Sequence, residues 1–161
     1  MSRLRKSHVA AALFATTIGA SEGTIQYAYR DPGTHGKPWT ICMGATHLED
    51  GSDVKPGDYR TVPQCRALLL EQSEGYAQKM EACTSPEALA AMPDKRYVGF
   101  LSFTYNLGPG VYCKSIAPLV NGGHTLAACN KLLVFNRAAG HVMAGLSSRR
   151  QRERAYCVEG L

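Results

Sequence analysis

The chain has 161 residues, 45% of them hydrophobic, with a formal net charge of +5. That composition excludes a disordered chain, and the length predicts one domain, or one domain with two lobes, large enough for a real core. The basic surplus is local, at Arg3, Arg5 and Lys6 near the start and Arg149, Arg150, Arg152 and Arg154 near the end. Such clusters suit an anionic polymer or surface, or form an ordinary solvated face diluted by Glu153 and Glu159. Nucleic acid is not the expected partner, because the basic residues do not alternate with aromatic ones and no binding motif is present.

In chain order, an uncharged run from Val9 to Ala20 follows the basic start. As a helix it covers ~18 Å, short against a ~30 Å bilayer core. It reads either as the apolar part of an export segment or as the first helix of the folded domain. Ile18-Gly19-Ala20 makes a poor cleavage site, with a bulky residue where a small one is wanted. The spacing predicts a helix from about Lys6 to Tyr29, broken near Gly19 or Gly23. Residues 30–59 are rich in Gly, Pro and Asp and hold a short strand candidate at Trp39–Met43. Thr61 and Gln64 form a capping-box pattern that opens a long helix over about 62–83. Ser85-Pro86-Glu87 starts a short helix. "DKRYVGFLSFTYNLG" sets Tyr97, Phe100, Leu101, Thr104 and Tyr105 on one face and ends at Gly108, a candidate core helix. Helices over Lys114–Val120 and Thr125–Phe135 flank Asn121-Gly122-Gly123, and Ser147 or Ser148 is the expected cap of a last basic helix.

Six cysteines stand at 42, 65, 83, 113, 129 and 157. Their even number and wide spacing predict three disulfides and an oxidising compartment, with buried free thiols as the alternative, and the sequence leaves all the pairings of six cysteines open. With no C-x-x-C pair and no tight Cys/His cluster, no metal or other cofactor is expected.

The stretch "SEGTIQYAYRDPGTHGKPWTICMG" places Glu22 nine residues before Asp31, and Thr40 nine further on. Glycosidic cleavage needs a protonated carboxyl for the leaving oxygen and a second group that directs water or attacks the sugar. Glu22, at the end of an apolar helix, is suited to remain an acid. Asp31 sits in a polar turn and stays ionised, and Thr40 offers a hydroxyl to water. Two acids at this spacing are equally compatible with a solvated surface, and Asp31-Pro32-Gly33 also reads simply as a turn.

The ordered set "SEG", "AYRDPGTHGKPWTICMGATH", "VKPGD", "FLSFTYNLGPGVYCKS", "LVNGG" and "GLSSRRQRERAYC" resembles the phage lysozyme (endolysin) family of glycoside hydrolases over most of residues 18–157. The resemblance implies an α+β, mainly α fold: a small β-hairpin lobe at about 22–60, a long connecting helix at about 62–83 and a larger helical lobe at about 85–161. It implies hydrolysis of the β-1,4 bond between N-acetylmuramic acid and N-acetylglucosamine in peptidoglycan, with inversion. Glu22 is then the general acid, and Asp31 and Thr40 position the water. Arg149 is the expected arginine near the acid, with Arg150 beside it, and Asn106 is expected to hold the lobe together through backbone hydrogen bonds. Cys42 departs from the family pattern by occupying a hairpin glycine position, where a disulfide is expected to replace the backbone freedom of glycine. Exported members look similar at Cys42 and Cys65 and at Cys129 and Cys157, so the expected set is Cys42–Cys65, Cys129–Cys157 and, with them, Cys83–Cys113.

Some family members carry a signal-anchor-release segment. Residues 1–21 look like a short version, ahead of a catalytic domain over 22–161. This implies a monomer exported to the host periplasm and tethered transiently to the inner membrane through residues 9–20. Retention in the cytoplasm until a holin opens the membrane is the alternative route. The competing function is a non-catalytic wall- or membrane-binding protein acting through its basic C-terminal helix.

Overall fold

The computed structural model describes residues 1–30 and 38–161, with residues 20–22 described by their backbone alone. In chain order the described elements are α1 (Arg3–Lys6), α2 (His8–Glu22), β1 (Ile25–Arg30), β2 (Trp39–Cys42), α3 (Val62–Ala82), α4 (Pro86–Ala91), α5 (Asp94–Leu107), α6 (Pro109–Ser115), α7 (Ala117–Asn121), α8 (Thr125–Leu132), β3 (Arg137–Ala138), β4 (His141–Val142) and α9 (Ala144–Val158). The architecture is α+β and mainly α, as expected. The chain divides into two compact units: Met1–Phe14 with Gly75–Leu161, and Ala15–Glu74.

The larger unit is built around α5. Every residue from Arg96 to Thr104 is buried, so this helix is enclosed on all sides rather than amphipathic. Gly99 allows the close approach of α9, since a Cβ there would lie 2.8 Å from the Glu153 carbonyl oxygen. Phe100 meets Tyr112, and Phe103 meets Phe135, in edge-on contacts with centroids 5.7 and 5.2 Å apart. Burial pushes the Tyr112 phenol up to about 12, and its oxygen is 2.9 Å from the Thr84 hydroxyl. Disulfides Cys83–Cys113 and Cys129–Cys157 tie this unit internally.

The N-terminus docks into the same unit. Ser2 and Leu4 are buried. The Arg3 guanidinium pairs with Asp94 at 2.6 Å, donates to the Met92 carbonyl at 2.5 Å and lies 5.3 Å from the Tyr97 ring centre. Its backbone N–H donates to Glu81 at 2.7 Å. One charge of the basic start is therefore a half-buried tether rather than a freely solvated one.

In the smaller unit, β1 and β2 pair antiparallel with a register shift between Ile25 and Tyr29. Its core comprises Ile41, Cys42, Ala45, Val54, Cys65 and Leu68, with Ala28, Trp39 and Leu48 against it. The capping box forms as expected: the Thr61 N–H donates to Gln64 Oε1 at 2.9 Å, and the Gln64 N–H donates to Thr61 Oγ1 at 3.4 Å. The third disulfide, Cys42–Cys65, joins β2 to the first turn of α3.

Several boundaries differ from expectation. The first helix stops at Glu22 because Gly23 turns left-handed at φ +73°, and Ile25–Arg30 becomes a strand. Its β-branched and aromatic residues favour that state once a partner strand is available. The expected Lys114–Val120 helix is two pieces, α6 starting earlier at Pro109 and α7 restarting at Ala117. The following helix ends at Leu132 rather than Phe135. The last helix starts at Ala144, capped by Met143 without a side-chain bond, so Ser147 and Ser148 lie inside it. The β3–β4 hairpin ahead of it turns at Ala139 and Gly140, both with positive φ.

Candidate active site

Glu22 is the last residue of α2, and the Gly23 N–H closes that turn by donating to the Gly19 carbonyl at 3.0 Å. The side chain of Glu22 and the whole of Asp31 lie outside the described residues. The strands that frame them are described. Tyr29 pairs with Thr40 and Arg30 with Trp39. The residue immediately before Asp31 is thus registered against the residue immediately before Thr40. The Arg30 guanidinium lies 5.1 Å from the Trp39 ring centre, fixing this end of the ladder.

Thr40 is buried, at 3% exposure, and its hydroxyl donates to the Pro38 carbonyl at 3.5 Å, the outer limit of a hydrogen bond. A hydroxyl held so loosely retains capacity for a further partner. Two residues on, Cys42 has φ +60°. The backbone there keeps the left-handed turn that glycine favours, and a cysteine adopts it while bonded to Cys65. His47 lies on an exposed loop, with Nε2 3.3 Å from Asp53 and Nδ1 3.0 Å from the Thr46 hydroxyl.

In the larger unit, the two arginines singled out in α9 are not a solvated face. Arg149 is 5% exposed and Arg150 is fully buried, and both converge on the buried carboxylate of Glu153. Arg149 Nε lies 3.2 Å from Glu153 Oε1, and Arg150 Nε lies 2.7 Å from Oε2. Ser102 donates to Oε1 at 2.8 Å. Arg150 Nη2 donates to Asn106 Oδ1 at 2.8 Å and to Glu153 at 2.9 Å. Asn106 therefore takes part in this cluster through its side chain, accepting from Arg150, where bonds to the backbone were expected. The Arg150 guanidinium also lies 5.0 Å from the Phe103 ring centre.

Burial pushes the Glu153 carboxyl above the usual range, while Arg150, Ser102 and Arg149 pull it back. Burial likewise lowers Arg150, and Glu153 opposes that shift. Two guanidinium groups around one carboxylate leave a surplus positive charge inside the unit. In the sequence Glu153 reads only as a charge diluting a basic surface. The available signal was its position three and four residues after two arginines on one helix, where all three side chains share a face.

The chain is similar to known proteins in sequence and in fold. The family model for phage lysozyme matches residues 19–153. The SAR-endolysin of Enterobacteria phage PA-2 is 31% identical over 123 residues, 76% of this chain and 70% of that protein. A crystal structure of a P22 lysozyme mutant superposes with a TM-score of 0.78 at 25% identity, covering 89% of this chain and 93% of that one. The active form of P1 phage endolysin Lyz superposes with a TM-score of 0.74 at 26% identity, covering 92% and 84%. On the match across residues 19–153, this chain belongs to the phage lysozyme family.

Proposed function

We propose that Glu22 is the general acid of this muramidase and that Asp31 and Thr40 hold the attacking water on the opposite face of the sugar, inverting the anomeric carbon. The enzyme is an endolysin that hydrolyses the β-1,4 bond between N-acetylmuramic acid and N-acetylglucosamine in peptidoglycan, causing host lysis. The observation that carries the site assignment is the family match across residues 19–153, which spans the ordered series Glu22, Asp31 and Thr40. The β1–β2 register and the loosely held Thr40 hydroxyl support it. Arg149 is the supporting arginine in this reading, and burial with the Glu153 pair fixes its orientation within the larger unit. Asn106 supports it indirectly through Arg150.

Glu22→Gln keeps the shape of the side chain and removes the proton. It should reduce release of new reducing ends from purified peptidoglycan by about 10²–10⁴-fold with an unchanged far-UV spectrum. A variant with near-normal release would remove Glu22 from the mechanism. Mass analysis of the products checks the chemistry, since an anhydro end would indicate a lytic transglycosylase instead of a hydrolase.

The proposal extends to the route by which the enzyme reaches its substrate. Residues 1–21 act as a signal-anchor segment ahead of the catalytic domain at 22–161. The protein is exported to the host periplasm as a monomer, held transiently at the inner membrane by residues 9–20. Relatives named SAR-endolysin support this reading. So does the double suitability of α2: Ala10, Phe14, Ala15 and Ile18 are all buried, and the same side chains partition favourably into lipid. Among the described residues no helix is long and apolar enough to cross a membrane. Membrane fractionation before and after de-energising the membrane should move the protein from pellet to supernatant. A protein soluble and active throughout in the cytoplasm rejects the anchor. The alternative of a binding protein acting through its basic C-terminal helix is left with Arg152 and Arg154, because Arg149 and Arg150 are buried.

A further inference from the structure

A pocket of about 160 Å³ opens in the larger unit, lined by Ala88, Ala91 and Met92 at the end of α4, Arg96 of α5, Val120, and Gly123 and Thr125 at the start of α8. Its volume is that of a cavity able to hold a small organic molecule. Most of its wall is apolar, which makes the arginine conspicuous. Arg96 is 8% exposed. Its Nε donates to the Cys157 carbonyl at 2.8 Å, and its Nη2 is buried with no partner.

No carboxylate among the described residues faces this guanidinium. Asp94, two residues earlier, is engaged by Arg3 and Ser7, and Glu159 by Lys95. Burial lowers the Arg96 pKa with no opposing charge to restore it. This differs from Arg149 and Arg150, whose burial is offset by Glu153. A buried cation without a counter-ion is costly, and unmade hydrogen bonds add to that cost.

A second feature of the pocket also favours an anion. The α8 helix starts at Thr125, has no side-chain cap at His124 and carries no acidic residue in its first turn. Its N-terminal N–H groups and dipole therefore lack a negative partner on the wall that Gly123 and Thr125 form.

We propose that this pocket binds a small carboxylate whose short apolar substituent lies against Ala88, Met92 and Val120, with its oxygens directed to Arg96 and the start of α8. The planar fork of a guanidinium matches a carboxylate, and the apolar wall selects a ligand with a methyl or ethyl group over a bare inorganic anion. Two sources offer that chemistry: a free short-chain acid, and the D-alanyl carboxylate that ends a peptidoglycan stem peptide.

The test titrates the full chain with propionate, N-acetyl-D-alanine and inorganic phosphate, following amide chemical shifts around 88–96 and 120–128 together with the melting temperature. Saturable binding of at least one carboxylate is expected, with a rise in melting temperature. Arg96→Gln should weaken it by at least about tenfold, the loss of a charge-assisted hydrogen bond. Ala88→Leu fills the pocket while leaving the arginine in place, and should abolish binding by a protein that is still folded. Tighter binding of N-acetyl-D-alanine than of propionate identifies the stem peptide as the source, and equal binding identifies the free acid. No saturable carboxylate binding, binding of phosphate alone, or carboxylate binding unchanged in Ala88→Leu overturns the proposal.

Discussion

Both compact units carry disulfides, two in the larger and one in the smaller, but they differ in how much packing surrounds those bonds. The larger one encloses a whole helix, α5, with aromatic contacts on several sides and a buried Arg149–Arg150–Glu153 cluster against it. The smaller one has a two-stranded ladder and a core of a few side chains, two of which are the halves of a disulfide. A helix surrounded by neighbours gains stability from packing that no single bond controls. A small sheet unit has too little apolar surface for that, so a covalent tie carries a larger share. The contrast teaches that two of the residues most open to a surface reading in the sequence, the α9 arginines, belong to the best-packed part of the molecule, while a single cross-link organises the lobe that carries Thr40.

The largest expected effect tests whether charge is integral to the packed unit. Glu153→Gln leaves two buried guanidinium groups facing a neutral amide and should cost about 3–5 kcal/mol in urea unfolding. Hydrogen exchange should place the loss in α5 and α9. A loss below about 1 kcal/mol would mean that packing alone holds this unit.

Removal of the cross-link from the smaller unit comes next. Replacing both Cys42 and Cys65 with Ala should cost about 3 kcal/mol, as expected for a bridge spanning 23 residues. Faster exchange confined to residues 25–60 would sharpen the contrast, and uniform acceleration across the chain would blunt it. A smaller effect separates the bond from the backbone it holds. In the same background, Gly at position 42 should be more stable than Ala by about 1 kcal/mol, because the left-handed conformation at φ +60° costs glycine nothing.

The smallest effect belongs to a peripheral ion pair of the smaller unit. Arg60 contacts Glu49 at 2.9 Å, with both side chains partly exposed, and Arg60→Ala should cost about 0.5 kcal/mol or less. Its hydrogen bond holds the Glu49 carboxyl below its ordinary range. The contribution is therefore present above the unfolded carboxyl pKa and lost as pH falls through the lower folded value. Acid titration of wild type and variant should converge below that value, and parallel curves would show that the pair contributes nothing.

Much of this arrangement was legible in the chain. The Thr61–Gln64 capping box, the Ser85-Pro86 start and the Gly108 stop are local chemistry, readable because the groups that bond lie within a few residues of one another. The Ile25–Arg30 strand was misread as helix because its state depends on a partner strand beyond the turn. Asn106 and Ser102 gave no local sign of the cluster they join, since their partners in α9 lie 44 and 51 residues away.

The amino-acid sequence by itself determined the family, the order Glu22–Asp31–Thr40 and the punctuation of most helices, since these depend on residue identity and short-range spacing. Only the tertiary structure decided which charges are internal. Arg3, Arg96, Arg149 and Arg150 look like the other basic residues in the chain, yet the fold ties Arg3 to Asp94, gathers two around Glu153 and leaves Arg96 without a carboxylate among the described residues. Burial and pairing are set by contacts between distant segments, and a guanidinium carries the same charge wherever the chain places it.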